Sequence, residues 1–121
     1  NIRSLIPERS NFTEWGSGCA LMVSKDCWKS IDGLDEGLPW YESDVDFCIR
    51  ARAKGWAIWY TDKAWIAHKI GRASSGWWQI REKLRGRVLL LKKHLKFWQL
   101  PVAITGFLIQ SFFRFIGSKL R

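Results

Sequence analysis

The stretch from Tyr41 to Trp56, YESDVDFCIRARAKGW, limits the folds open to this chain more than any other segment. Asp44 and Asp46 stand where a helix start favours acids, and Arg50, Arg52 and Lys54 stand where its end favours bases. Ser43 is the expected N-cap, Val45, Cys48 and Ile49 the apolar face, and Gly55 the stop. Beyond Gly55, WAIWY and AWIA are aromatic and β-branched runs around Thr61-Asp62-Lys63, which predicts strand, turn, strand. His68 then emerges at a strand end, so carboxylates and an imidazole frame one short α/β unit.

Upstream, residues 1 to 15 show no period and are expected to be connector. Gly16-Ser17-Gly18 allows a tight turn, and Cys19 to Ser24 (CALMVS) is expected to be a strand buried on both faces. Ser24 is the predicted cap of a helix over Lys25 to Ile31, with Gly33 as its left-handed terminator. Leu34 to Tyr41 is expected to be an irregular loop stiffened by Pro39. A chain of 121 residues makes one domain at most and buries about two thirds of its unfolded surface, so any site is shallow or shared. Cys19, Cys27 and Cys48 form no CxxC pair and are expected to be reduced, mostly buried thiols.

The net charge of +9 is uneven. Residues 1 to 70 are nearly balanced, whereas residues 71 to 121 contain Glu82 as their one acid. Such a half suits nucleic acid, anionic lipid or phosphorylated ligands. From Trp77 to Lys96, Leu84, Val88, Leu91 and Leu95 share a helical face with Arg81, Arg85, Lys92 and Lys96 beside it, the pattern of a basic amphipathic helix. Phe97 to Gly117 is the most apolar segment, yet its uncharged run is marginal for a span. Ile104, Leu108, Phe112 and Phe115 lie opposite Gly106, Gln110, Arg114 and Arg121, which fits a helix lying in the bilayer interface. A leucine stripe continuing into an apolar helix argues for lipid and against nucleic acid. The composition breaks between Gly71 and Gly76, dividing the chain into residues 1 to 76 and residues 77 to 121.

Three carboxylates, Glu42, Asp44 and Asp46, crowd five residues and repel unless a cation, a hydroxyl or a basic partner is near. Acids in a first turn also serve the helix dipole alone. As a general base, Asp44 is the best placed to take the proton of an acceptor hydroxyl. His68 suits a divalent metal, a phosphate or a structural hydrogen bond equally. Arg72, Ser74 and Ser75 are candidates for an anionic diphosphate, or a solvated loop. Of nine tryptophans, most are expected in the core or at a membrane interface, while Trp40, with Tyr41, is set to stack on a sugar ring.

The order GSGCALMVSKDCWKSIDGLDEGLPWYESDVDFCIRARAKGW, followed by His68, Gly71, Ser74 and Ser75 and then a basic leucine-rich helix, resembles the C-terminal half of family 2 glycosyltransferases of the GT-A fold, of the rhamnosyltransferase-like kind. The likeness runs roughly from Trp15 to Lys93. It implies an α/β fold, the later portion of a Rossmann-like GT-A domain, followed by amphipathic membrane-associated helices. It implies Asp44 as the base, the family's preceding Glu falling on Ser43 with Glu42 one residue earlier. It puts Gly18, Trp40, Tyr41, Glu42 and Asp46 on the acceptor side, Arg72, Ser74 and Ser75 on the donor diphosphate, and His68 on Mg²⁺ or Mn²⁺. No Asp-x-Asp precedes Gly16, and the chain starts at Asn1, so the expectation is a piece of a longer protein whose nucleotide-binding half holds the other metal ligands.

The resulting expectation is an inverting transferase working at the cytoplasmic face of the cell membrane. Its partners would be a nucleotide-sugar donor, a glycan or lipid-linked acceptor and an anionic membrane surface, with no nucleic acid. The alternative is a membrane-anchored interaction module in which Asp44 and His68 are structural.

Overall fold

The computed structural model describes residues 11 to 68 and 76 to 119. Within them the order is β1 (Asn11–Thr13), a single 3₁₀ turn (Gly18–Ala20), α1 (Lys25–Ser30), α2 (Ser43–Ala53), β2 (Ile58–Tyr60), α3 (Trp77–His94) and α4 (Leu100–Lys119).

α1 starts where Ser24 Oγ accepts the N–H of Cys27 at 3.2 Å, satisfying a donor that the helix leaves open. It ends at Asp32 and Gly33, both left-handed, with φ of 59° and 64°. A Cβ on Gly33 would lie 2.7 Å from the Trp28 ring, so this turn needs glycine for space as well as for backbone freedom. α2 follows the sequence pattern in its charges, with Asp44 and Asp46 in its first turn and Arg50 and Arg52 in its last, but of the expected apolar face Val45, Cys48 and Ile49 only Cys48 is buried, beside Phe47 and Ala51. Its N-cap, however, is Glu42 rather than Ser43, because Glu42 adopts a left-handed conformation with φ 75° and its carbonyl accepts the N–H of Asp46.

Phe47, Cys48 and Ala51 of α2 meet Cys27 of α1 and Ile31 at its C-cap, and Leu21, Val23, Trp56 and Ile58 close around them. Cys27 and Cys48 are buried free thiols, while Cys19, expected inside, is exposed on the 3₁₀ turn.

Three expectations about strands change. Residues 11 to 13 are not connector: they pair antiparallel with β2, Phe12 opposite Trp59. The CALMVS run begins in the 3₁₀ turn, and its remainder is extended but joins no sheet among the described residues. Leu21 and Val23 face the core while Met22 is 98% exposed, so the run is lined on one side only. Ala64 to Ala67 forms no strand, since β2 takes β1 as its partner; Trp65 and Ile66 are exposed. The fold is a mixture of helices with a two-stranded antiparallel sheet, consistent with an α/β class, and among the described residues there are no parallel strands of the kind that would specify GT-A.

α3 forms where the amphipathic pattern predicts a helix. Glu82, Gly86 and Leu90 are its buried residues, whereas Leu84 and Val88 of the predicted leucine stripe are 41% and 37% exposed. At 3.6 residues per turn these two sets lie on opposite sides of the helix. α4 returns along α3, with the Phe107 ring 5.6 Å from the Arg87 guanidinium carbon. Among the described residues no helix is long and apolar enough to cross a membrane.

Candidate functional site

The acidic segment at the start of α2 splits into three different environments. Asp44 is half-buried; its Oδ2 accepts the N–H of Gly18 at 2.9 Å and its Oδ1 accepts the N–H of Val45 at 2.9 Å. Gly18 and Asp44, flagged separately in the sequence, therefore meet, with Gly18 contributing a backbone amide. These two donors fix the carboxylate's direction, and a carboxylate has further lone pairs for a substrate hydroxyl.

Glu42 points to α3, where Arg87 reaches its Oε1 at 3.0 Å. Burial pushes the Glu42 carboxyl above its ordinary range, and Asp44 adds to this while Arg87 opposes it. Glu42 Oε2 and Arg87 Nε are buried without a hydrogen-bond partner among the described residues.

Asp46, expected on the acceptor side, is instead wholly buried. Its Oδ2 accepts from Arg50 Nε at 2.7 Å, and its Oδ1 lies 2.8 Å from Lys93 Nζ and 2.7 Å from His94 Nε2. Burial pushes its carboxyl upward, but the hydrogen bonds from Lys93, His94 and Arg50 outweigh this and hold it below the usual range. Arg50 also donates to the Ile31 carbonyl and, at 2.8 Å, to the Gly33 carbonyl, so it closes the open end of α1. Lys93 additionally pairs with Asp35, whose carboxyl is lowered by that bond first and by the Gly37 N–H second. Asp46 is thus the joint between α1, α2 and α3.

Between these groups runs the loop that carries Trp40 and Tyr41. Tyr41 has Lys83 Nζ 5.2 Å from its ring centre, and a Cβ on Gly86 would stand 2.5 Å from the Tyr41 carbonyl oxygen. Trp40 is 80% exposed at the edge of a shallow groove of about 410 Å³. Leu34, Asp35, Glu36, Leu38, Pro39 and Ser43 complete its lining, so Asp44 lies one residue from the groove without lining it.

His68 is exposed, and the described residues hold no group of three or more His, Cys, Asp or Glu able to hold a metal ion. His68 alone does not make a site for Mg²⁺ or Mn²⁺. Arg72, Ser74 and Ser75 lie outside the described residues.

Arg50, Arg87, Lys93 and His94 are the residues that the sequence reading missed as parts of this region. Lys83, Gly86, Arg87, Leu90, Lys93 and His94 recur at three- and four-residue steps, a second helical face that a search for apolar stripes passes over.

The chain is similar to uncharacterized proteins of Mycobacterium bovis and Mycobacterium tuberculosis, each 37% identical over 61 residues, covering 48% of this chain and 23% of the relative. It is also similar to an N-acetylglucosaminyl-diphospho-decaprenol L-rhamnosyltransferase of Mycobacterium tuberculosis, 31% identical over 106 residues, covering 67% of this chain and 34% of that enzyme. The chain therefore spans about a quarter to a third of the length of these curated relatives. No family profile and no solved structure matches it. What these likenesses establish is a distant relationship to a glycosyltransferase.

Proposed function

We propose that this chain is the acceptor-side part of an inverting glycosyltransferase, with Asp44 as its general base. The observation that carries this reading is the half-buried Asp44 carboxylate, oriented by the Gly18 and Val45 amides beside an aromatic-rimmed groove, in a chain distantly similar to a rhamnosyltransferase.

In the proposed step the acceptor O–H breaks and its proton passes to an Asp44 oxygen. The acceptor oxygen bonds to the anomeric carbon of a nucleoside-diphosphate sugar, and the bond from that carbon to the diphosphate breaks, its electron pair leaving with the diphosphate. Attack from the face opposite the leaving group inverts the anomeric centre. Trp40 would stack on a ring of a glycan or lipid-linked acceptor, and Tyr41 and Glu42, which do not line the groove, would hold its loop against α3. His68, Arg72, Ser74 and Ser75 are proposed for the donor diphosphate, the nucleotide being held by the rest of a longer protein. The setting is the cytoplasmic face of the cell membrane.

The competing reading is a membrane-anchored module without catalysis. It draws on Asp44 Oδ1 accepting an amide of its own helix, which an acid at a helix start also does for stability alone. Sugar transfer from a panel of nucleotide sugars to lipid acceptors, by the full-length parent and its Asp44→Asn variant, separates the two. The expected drop in kcat is about 10²–10⁴-fold, the usual contribution of a general base. Unchanged transfer with folding intact removes Asp44 from the mechanism, and no transfer by either protein favours the non-catalytic module.

A further inference from the structure

α3 is assembled the opposite way round from an ordinary amphipathic helix. Its polar side turns inward, where Arg87 meets Glu42, Lys93 meets Asp35 and Asp46, and His94 meets Asp46. Its apolar side turns outward: Trp77 is 84% exposed, Ile80 49%, Leu84 41% and Val88 37%. These four residues, continued by the half-buried Leu91 and Leu95, form one stripe along the helix. Water is a poor neighbour for a contiguous stripe of this kind.

The charge around the stripe selects its occupant. Arg81, Arg85 and Lys92, all exposed, run along one edge, and Lys96 follows with its Nζ 4.9 Å from the Trp98 ring centre. Glu82, the one acid of α3, is buried on the far side. An apolar strip edged by cations and tryptophans is complementary to acyl chains below an anionic headgroup layer. A second copy of the chain would set the same basic edge against itself, and each copy carries a net charge of +9. α4 also exposes apolar side chains, Val102, Leu108 and Ile109, and it is not apolar enough to cross a bilayer.

We propose that α3 rests on an anionic lipid surface through its Trp77, Ile80, Leu84 and Val88 stripe. The inference deepens the transfer reading, from which it takes only that the acceptor reaches the groove at a membrane. Because the opposite side of α3 holds Glu42, Tyr41 and Asp46, the helix fixes the acceptor loop at a set height above the lipid.

Flotation with vesicles of phosphatidylcholine, with and without phosphatidylglycerol, tests this without reading sugar transfer, so its failure and that of the catalytic proposal are separable. The full chain is expected to bind the phosphatidylglycerol vesicles and to release as salt rises. The Leu84→Glu/Val88→Glu variant is expected to bind about tenfold less or worse, with helix content by circular dichroism unchanged. Arg81→Gln/Arg85→Gln, which keeps the stripe, is expected to lose the preference for phosphatidylglycerol, and it decides the matter if the first variant loses helix. Full binding by Leu84→Glu/Val88→Glu, equal binding to both vesicle types, or a dimer that Leu84→Glu dissolves would each overturn the proposal.

Discussion

At the scale of single residues, Asp44 and Asp46 stand two positions apart in one helical turn and make opposite uses of the same functional group. Asp44 takes two backbone amides and stays half-exposed, whereas Asp46 is wholly buried and surrounded by basic side chains. A buried carboxylate left without its partners, or buried cations left without their carboxylate, costs about 3–5 kcal/mol. Asp46→Asn is therefore expected to lower stability by about that amount in urea unfolding, while Asp44→Asn lowers it by about 1 kcal/mol, the loss of a charge at a helix start. A smaller loss for Asp46→Asn than for Asp44→Asn would show that the Asp46 cluster is not the joint described here. The sequence marks both acids as candidates but cannot separate them, because the difference comes from Lys93 and His94, which lie nearly fifty residues further along.

At the scale of elements, the readable features were those set by neighbours in the chain: the Ser24 cap, the left-handed Gly33 and the acidic start and basic end of α2. The unreadable ones depended on distant partners. CALMVS has strand composition but finds no ladder among the described residues, and residues 11 to 13, without any period, become a strand because β2 lies beside them. The buried side of α3 was hidden for the same reason, since the apolar-stripe rule assumes that charged faces prefer water, and here three acids offer a better partner. Gly86 measures this packing. Alanine is the better helix former by about 1 kcal/mol, yet a Cβ at 2.5 Å from the Tyr41 carbonyl oxygen forces the backbone to move, which costs about 1–3 kcal/mol. Gly86→Ala is thus expected to be destabilising by up to about 2 kcal/mol, with hydrogen exchange accelerated at residues 39 to 42. A stabilised Gly86→Ala protein would mean that α3 does not approach the loop this closely.

Across the whole molecule, the same ion pairs predict how stability responds to pH. Asp35 and Asp46 have lowered carboxyl pKa values, so the unfolded chain binds protons there more readily than the folded one. Their contribution is complete above the ordinary carboxylate value of about 3.9 and is lost as pH falls through the lower folded values. Glu42 has the opposite sign: its raised pKa favours the folded state below its ordinary value and withdraws that contribution as pH rises through the folded value. Lys93 is pulled down by its burial but raised on balance by Asp35 and Asp46, so its contribution is present below 10.5 and lost as pH climbs beyond its folded value. Asp46 bonds three side chains from two helices, whereas Glu42 meets one arginine, so the Asp46 side dominates in acid. Thermal melts across pH are expected to show a plateau around neutrality, a fall below about pH 4 and another above the ordinary lysine value of about 10.4. In Asp46→Asn the plateau is lower and the acid fall much reduced, since the largest carboxylate contribution is already gone. An acid limb of undiminished size in that variant would place the acid-sensitive contacts elsewhere in the chain.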